Sequence, residues 1–379
     1  MLFAHLPDRY LIGMGLWLLG GIVLFVALLK LRRWRRRKGA KPRILNALLG
    51  LWFLAAMLTG VEAYFALFRD TTDAFNQTNV SKRWFAIHAD AEARDLKFEN
   101  GEGIRYRETA AFEQEVLEGV KRVIFLGDSF TFGHGINDME DRFSNRVGNN
   151  LESQQSGQWD VANLAWAGTN LPWTNAVTHQ LVDNKYDVDT VVYVMCLNDV
   201  EGFVPSEYAD VGKHASGSPF FRDTYFLNTV YFRAKQLMVP NLRNYYGTIA
   251  EHYAGEPWQK MTDMLDDTKK TCHHKQTRFA IVVFPFLHNL TDSGAFDAAH
   301  QAIAKYGEDS DVPVLDLRAT LAPHAGEGLT LNMLDAHPNE RAHELAAAEI
   351  AKFLLELPEL KPAAAASKDG TQSQELEAQ

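Results

Sequence analysis

The stretch RVIFLGDSFTFGHG, residues 122–135, opens with a β-branched and aromatic run and breaks abruptly at Gly127-Asp128-Ser129. Such a run reads as a buried strand. A serine just past the carboxyl end of a parallel strand lies where open α/β sheets form their ligand crevice. The small Gly127 permits a tight turn there and leaves the Ser129 hydroxyl exposed. Outward from this stretch the same rhythm repeats. Strand-like runs occur at 160–164 (DVANL), 190–195 (TVVYVM), 278–284 (RFAIVVF) and 312–317 (VPVLDL). Helix-like segments at 143–153, 173–184, 258–273 and 295–306 separate them, and a last one at 340–355 spaces Ala and Leu for one buried face. Short apolar strands alternating with helices predict parallel βαβ units and a three-layer α/β/α domain.

The residues just after the strands carry the chemistry. Gly168-Thr169-Asn170 comes after the second strand, Asn198 and Asp199 after the third, and Asp335 and His337 lie beyond the fifth in LDAHPNERAH. All would converge on one edge of one sheet. Serine is a poor nucleophile at its free pKa, so a base must take its proton, and His337 suits that task near neutral pH. Asp335 can fix the imidazole tautomer and stabilise the imidazolium. The backbone N–H groups of Ser129 and Gly168 and the side-chain amide of Asn198 are donors of the kind an oxyanion needs.

These blocks resemble the SGNH/GDSL hydrolase family over about residues 122–355. GDSFTFG carries the nucleophile position at Ser129, NLAWAG the oxyanion glycine at Gly168, LNDV the oxyanion asparagine at Asn198, and DAHPN the Asp335 and His337 pair. The resemblance implies a flavodoxin-like parallel sheet and a serine esterase or acyltransferase working through an acyl-serine. There are two departures. Cys196 stands where the family often has glycine, and the acid and base are spaced Asp335-Ala336-His337 rather than Asp-x-x-His. The shorter spacing resembles members that act in bacterial exopolysaccharide or cell-envelope acetylation.

The remainder of the chain indicates place. Of the 379 residues 46% are apolar and 23% charged, enough for a large core without disulfide support. The net charge of −10 argues against a nucleic-acid partner, which would call for a basic surface. Residues 1–68, however, carry +8 and the rest −18. Uncharged or nearly uncharged runs at 11–29 and 44–61 flank the basic stretch KLRRWRRRKGAKPR at 30–43. Nineteen residues of helix reach about 29 Å, the thickness of a bilayer core. The pattern predicts a two-helix transmembrane hairpin, residues 1–68, whose basic loop stays cytoplasmic. A cleaved signal peptide would carry its basic residues first, and here they come after the apolar run. The expected organisation is then a polar, irregular connecting segment at 69–120 with a short helix near 108–120, an SGNH-hydrolase-like domain at 121–360, and a disordered tail at 361–379. The domain would stand on the periplasmic face of the inner membrane.

An aromatic insertion at 201–253 reads as two extra helices on the sheet edge, or alternatively as a cleft wall for a glycan. Asp128 is expected to brace the turn, Asp199 to cap a helix or hold the Asn198 loop, His134 to sit exposed in its loop, and His343 to be structural. Cys196 and Cys272 are expected to be unpaired thiols. Cys272-His273-His274 reads as a solvated helix end, so neither a metal nor an organic cofactor is expected. The expected function is a membrane-anchored serine esterase or O-acyl(acetyl)transferase acting on an acylated glycan or small ester. The hairpin is either a plain anchor or a docking surface for an integral membrane acyl-transfer partner. The competing reading is a non-catalytic assembly or glycan-binding component that reuses the fold.

Overall fold

Five parallel strands form the centre of the computed structural model, which describes residues 5–204, 216–291, 294 and 296–357. A hairpin comes first in the chain, β1 (Ala93–Lys97) paired antiparallel with β2 (Gly103–Arg107). The sheet then takes β3 (Lys121–Gly127), β4 (Trp159–Asn163), β5 (Thr190–Cys196), β6 (Arg278–Phe284) and β7 (Val314–Asp316), in spatial order β4-β3-β5-β6-β7. Numbered among themselves, the five strands run 2-1-3-4-5, the flavodoxin-like order, and the chain reverses direction across the sheet beside β3. A second antiparallel hairpin, β8 (Thr330–Asn332) and β9 (Asp335–Pro338), lies beyond the sheet.

Val123, Ile124, Phe125 and Leu126 of β3, and every residue of β5, are buried. Strands covered on both faces must be apolar on both, which is why these runs lack alternation. Helices Phe143–Gln154 and Glu340–Glu356 pack together, as do Leu171–Asp183 and Glu256–His274. The predicted strands of the sheet and the helices expected between and after them recur within a few residues of their expected bounds. Cys196 and Cys272 are unpaired and buried. Cys196 needs no glycine, because its backbone is extended at φ −93°.

Four expectations are corrected. Residues 108–120 form no helix. Glu108 instead turns inward to accept from the Asn163 N–H and from fully buried Arg142, and the Phe112 N–H is held by the Tyr106 hydroxyl. Tertiary hydrogen bonds override a weak local helix preference there. The connecting segment is not irregular, since it holds β1 and β2. The basic stretch is mostly not a loop: α1 runs Asp8–Arg37 and α2 Arg43–Leu67, with only the turn around Gly39 between them. Arginine and lysine are good helix formers, and in the last turn of α1 they meet the negative end of its dipole. The two helices meet through stacked Phe25 and Trp52 and through Trp17 Nε1–H donating to Thr59 Oγ1. Both are long and apolar enough to cross a membrane, and only 6% and 11% of their most apolar windows are buried.

The aromatic insertion supplies the fourth correction. It is a series of helices, Pro219–Arg222, Phe226–Met238, Pro240–Arg243 and Tyr245–His252, rather than two on the sheet edge. Phe226–Met238 packs on α2, because Glu62 accepts from the Tyr225 and Phe226 N–H groups that open that helix. Tyr245–His252 packs on the loop after β5, where Tyr245 donates to Glu201 and Tyr253 to the Leu197 carbonyl. Residues 205–215 of the insertion and the tail at 361–379 lie outside the described residues.

The turn after β3 tolerates no side chain. A Cβ on Gly127 would overlap Thr131 Oγ1 and stand 2.5 Å from the Val194 carbonyl oxygen, at a φ of +156°. Gly127→Ala is therefore expected to destabilise the protein by about 1–3 kcal/mol, read as a lowered Tm of the detergent-solubilised full chain. An unchanged Tm would mean that β3 and β5 can part at no cost.

Candidate active site

β3 ends at Gly127, and Asp128 caps the four-residue helix that comes next, its Oδ1 accepting from the Phe130 N–H at 2.9 Å. That cap holds Ser129 at the head of the helix, at the switch point of the sheet. Asp128 is buried, and burial pushes its carboxyl up to about 6. Its geometry is that of a turn brace, as the sequence suggested.

His337 arrives from the opposite end of the chain. In a strand, residues two apart share a face, so β9 presents Asp335 and His337 side by side. The His337 Nδ1–H donates to Asp335 Oδ1 at 2.5 Å. A carboxylate can only accept, so Nε2 of the neutral ring bears the lone pair, and it receives the Ser129 hydroxyl at 2.7 Å. Asp335 Oδ2 takes a second hydrogen bond from Thr72 Oγ1, also at 2.5 Å, and both side chains are buried. Burial alone would raise the Asp335 carboxyl, but the charge of His337 and the donors His134 and His337 outweigh it and hold it well below the ordinary range. For His337, burial pulls downward, while the charge of Asp335, its hydrogen bond and Asp128 together raise the imidazole above its usual value.

The expected oxyanion donors flank this chain. Gly168 lies in a turn at φ +84°, a conformation that suits glycine. Thr169 pins that turn to the Ser129 loop, because its hydroxyl reaches the Gly127 carbonyl at 2.8 Å. Asn198 sits in the 3₁₀ turn after β5, half-buried, with its Oδ1 lacking a partner. Asp199 does hold the loop: its Oδ2 accepts from the Tyr193 hydroxyl at 2.7 Å and the Cys196 N–H at 3.1 Å.

His134 departs from expectation. It is 1% exposed rather than solvated, with its ring 4.3 Å from that of His337 and its Nε2 3.5 Å from Asp335 Oδ2. Burial, and then the neighbouring His337, lower its pKa, so it stands neutral against the Asp335–His337 pair. The short GHG loop curls it inward, since a Cβ on Gly135 would overlap the Leu331 side chain. His343 is structural, its Nδ1 accepting from the Phe143 N–H. His273 and His274 end their helix exposed. Ligand atoms of His134, Asp335 and His337 lie within 4.8 Å of one another. A metal there would have to displace the hydrogen bonds that His337 makes to Ser129 and Asp335. Sequence reasoning missed Thr72, which sits in a polar segment with no motif around it.

The sequence model of the GDSL-like Lipase/Acylhydrolase family matches residues 125–345. The chain belongs to that family and is an ester hydrolase of the GDSL type. No curated protein matches. Among solved structures it is similar to a lipolytic protein of the G-D-S-L family from Desulfitobacterium hafniense, at 14% identity and a TM-score of 0.37, covering 62% of this chain and 99% of that one. A second G-D-S-L lipolytic protein, from Veillonella parvula, gives 12% and 0.39 over 63% and 100%. An acetyl xylan esterase gives 15% and 0.38 over 61% and 98%.

A protonated His337 cannot take the serine proton, so kcat/KM for p-nitrophenyl acetate is expected to fall as the pH drops through the His337 pKa, which lies above the ordinary histidine value. In Asp335→Asn the raising influence is lost. The acid limb should move to lower pH while the rate falls by roughly 10⁴-fold. A limb that stays in place would show that Asp335 does not set the imidazole's basicity.

Proposed function

We propose that Ser129 is the nucleophile, His337 the general base and Asp335 the residue that orients it, with the N–H groups of Ser129 and Gly168 and the Asn198 amide receiving the oxyanion. The observation that carries this reading is the unbroken hydrogen-bond chain from Ser129 Oγ through His337 to Asp335. His337 takes the hydroxyl proton as Oγ attacks the ester carbonyl, and returns it to the leaving alcohol as the tetrahedral intermediate collapses to an acyl-serine. A second nucleophile, water or a sugar hydroxyl, then gives up its proton to His337 as it attacks the acyl carbon, and His337 returns that proton to Ser129 Oγ as the acyl group leaves. Nothing in the triad distinguishes the two, so the same site serves an esterase or an O-acyl(acetyl)transferase.

The exposed apolar surface of α1 and α2, with nine basic residues across the turn between them, supports a hairpin that spans the cytoplasmic membrane with that turn inside. The hydrolase domain would then face the periplasm. A membrane-held acyl-serine enzyme suits an extracytoplasmic glycan, receiving its acyl group from an integral membrane partner or releasing it to water. The Asp335-Ala336-His337 spacing, which resembles that of envelope-acetylating members, supports the same class of polymer.

Ser129→Ala and His337→Ala are each expected to lower p-nitrophenyl acetate turnover by at least about 10³-fold, with Tm preserved. If an added acylatable oligosaccharide traps the acyl group in competition with water in the wild type, the acceptor is a sugar hydroxyl. Turnover undiminished in Ser129→Ala would overturn the assignment and favour a fold reused as scaffold.

A further inference from the structure

We propose that Thr72, five residues beyond the end of α2, is a positioning residue for the Asp335 carboxylate, so that the segment leaving the membrane hairpin is built into the reaction centre. This inference rests on the reading of Ser129, His337 and Asp335 as the catalytic chain.

A carboxylate held at one oxygen can swing about its Cβ–Cγ bond. Asp335 Oδ1 is taken by His337. Oδ2 is held by the Thr72 hydroxyl at 2.5 Å, and the other group near it, His134 Nε2, stands farther off at 3.5 Å. Thr72 is 0% exposed and Asp335 1%, so the contact is shielded from bulk solvent. Thr72 therefore sets which way Oδ1 points, and Oδ1 sets the imidazole that faces Ser129.

The segment that carries the hydroxyl is itself held from both sides. Toward the site, Asn332 Nδ2 donates to Thr71 Oγ1 at 3.1 Å and to the Thr72 carbonyl at 3.2 Å. The Ala74 N–H reaches the Leu334 carbonyl at 3.1 Å, and Arg69 donates to Asn332 Oδ1 at 3.2 Å. Arg233, from the helix Phe226–Met238, bridges Asp73 Oδ1 and the Leu334 carbonyl. Toward the hairpin, Arg83 gathers the carbonyls of Phe65, Ala66 and Arg69, where α2 ends. Glu62 of α2 holds the start of Phe226–Met238. A run of hydrogen bonds to named atoms thus connects the end of the apolar helix to the turn between β8 and β9. Even fully extended, the five residues from Leu67 to Thr72 span no more than about 18 Å. Asp335 thus stays close to the end of α2, and a shift of the hairpin is transmitted to the carboxylate.

The test uses the full-length protein in detergent micelles with p-nitrophenyl acetate. Thr72→Val keeps the shape and removes the donor. Its kcat is expected to fall about tenfold or more with KM little changed, the scale on which misplaced catalytic groups lose rate. Thr72→Ser, which restores the hydroxyl, should recover most of that loss. The acid limb of kcat/KM should shift toward lower pH in Thr72→Val, as Asp335 loses its hold on His337. The ionisable groups around the pair stay unaltered: His134 and Asp128 from the Ser129 loop, Arg69 and Asp73 from the exit segment, Arg233 and Tyr246 from the insertion, and His343. A merely structural role would reduce the amount of active enzyme without moving the limb. If Thr72→Val does not fold, Asn332→Ala frees the same segment from outside the buried pocket, and it is expected to lower kcat likewise. A folded Thr72→Val or Asn332→Ala with wild-type kcat and an unmoved limb, beside an inactive Ser129→Ala, would overturn the proposal and leave the triad standing. Activity retained in Ser129→Ala would instead remove the triad reading itself.

Discussion

Asp335 carries a buried charge, and an ionised carboxylate out of water is stable only where donors surround it. Three parts of the chain meet that demand. His337 donates from the same strand, Thr72 from the segment after the apolar helices, and His134 flanks the carboxylate from the loop after the first sheet strand. A hydrogen bond to a charged group contributes about 1.5–3 kcal/mol, so these contacts decide how distant parts of the molecule close on one another. The β8–β9 hairpin is too short to be stable alone. It is held because its charge is satisfied from outside.

The sheet supplies the other half of the site. Because β3 is flanked by β4 on one side and β5 on the other, the loops after these three strands share one edge. Gly127 lets the first loop turn without a clash, Thr169 ties the second to it, and Asp199 anchors the third. Ser129 therefore rests on strand ends fixed by a buried core, whereas His337 comes from a hairpin fixed by polar contacts. The rigid partner and the polar-held partner meet at the 2.7 Å bond between Ser129 and His337.

The departures from local expectation share a cause. Residues 108–120 give up a helix because Glu108 has a buried arginine to satisfy. His134 turns inward because the glycines beside it leave room and Leu331 closes over the loop. The insertion helix Phe226–Met238 leaves the sheet edge because Glu62 offers its first N–H groups a carboxylate. In each case a long-range contact, invisible in a window of neighbouring residues, outweighs the local preference.

Read alone, the sequence determined the parallel sheet, its five strands, the apolar hairpin, and the identity of Ser129, His337, Asp335, Gly168 and Asn198 as candidate site residues. Apolar periodicity and turn chemistry are local, so they are written in consecutive letters, and the site blocks sit directly after strands whose ends the fold must bring together. Tertiary structure alone decided that Thr72 and His134 belong beside the carboxylate. It also decided that the insertion braces the hairpin and that the connecting segment is ordered. Those placements depend on a buried charge finding its donors up to 263 residues away in the chain. Pairing at that distance is set by packing and desolvation, which no local pattern of residues records.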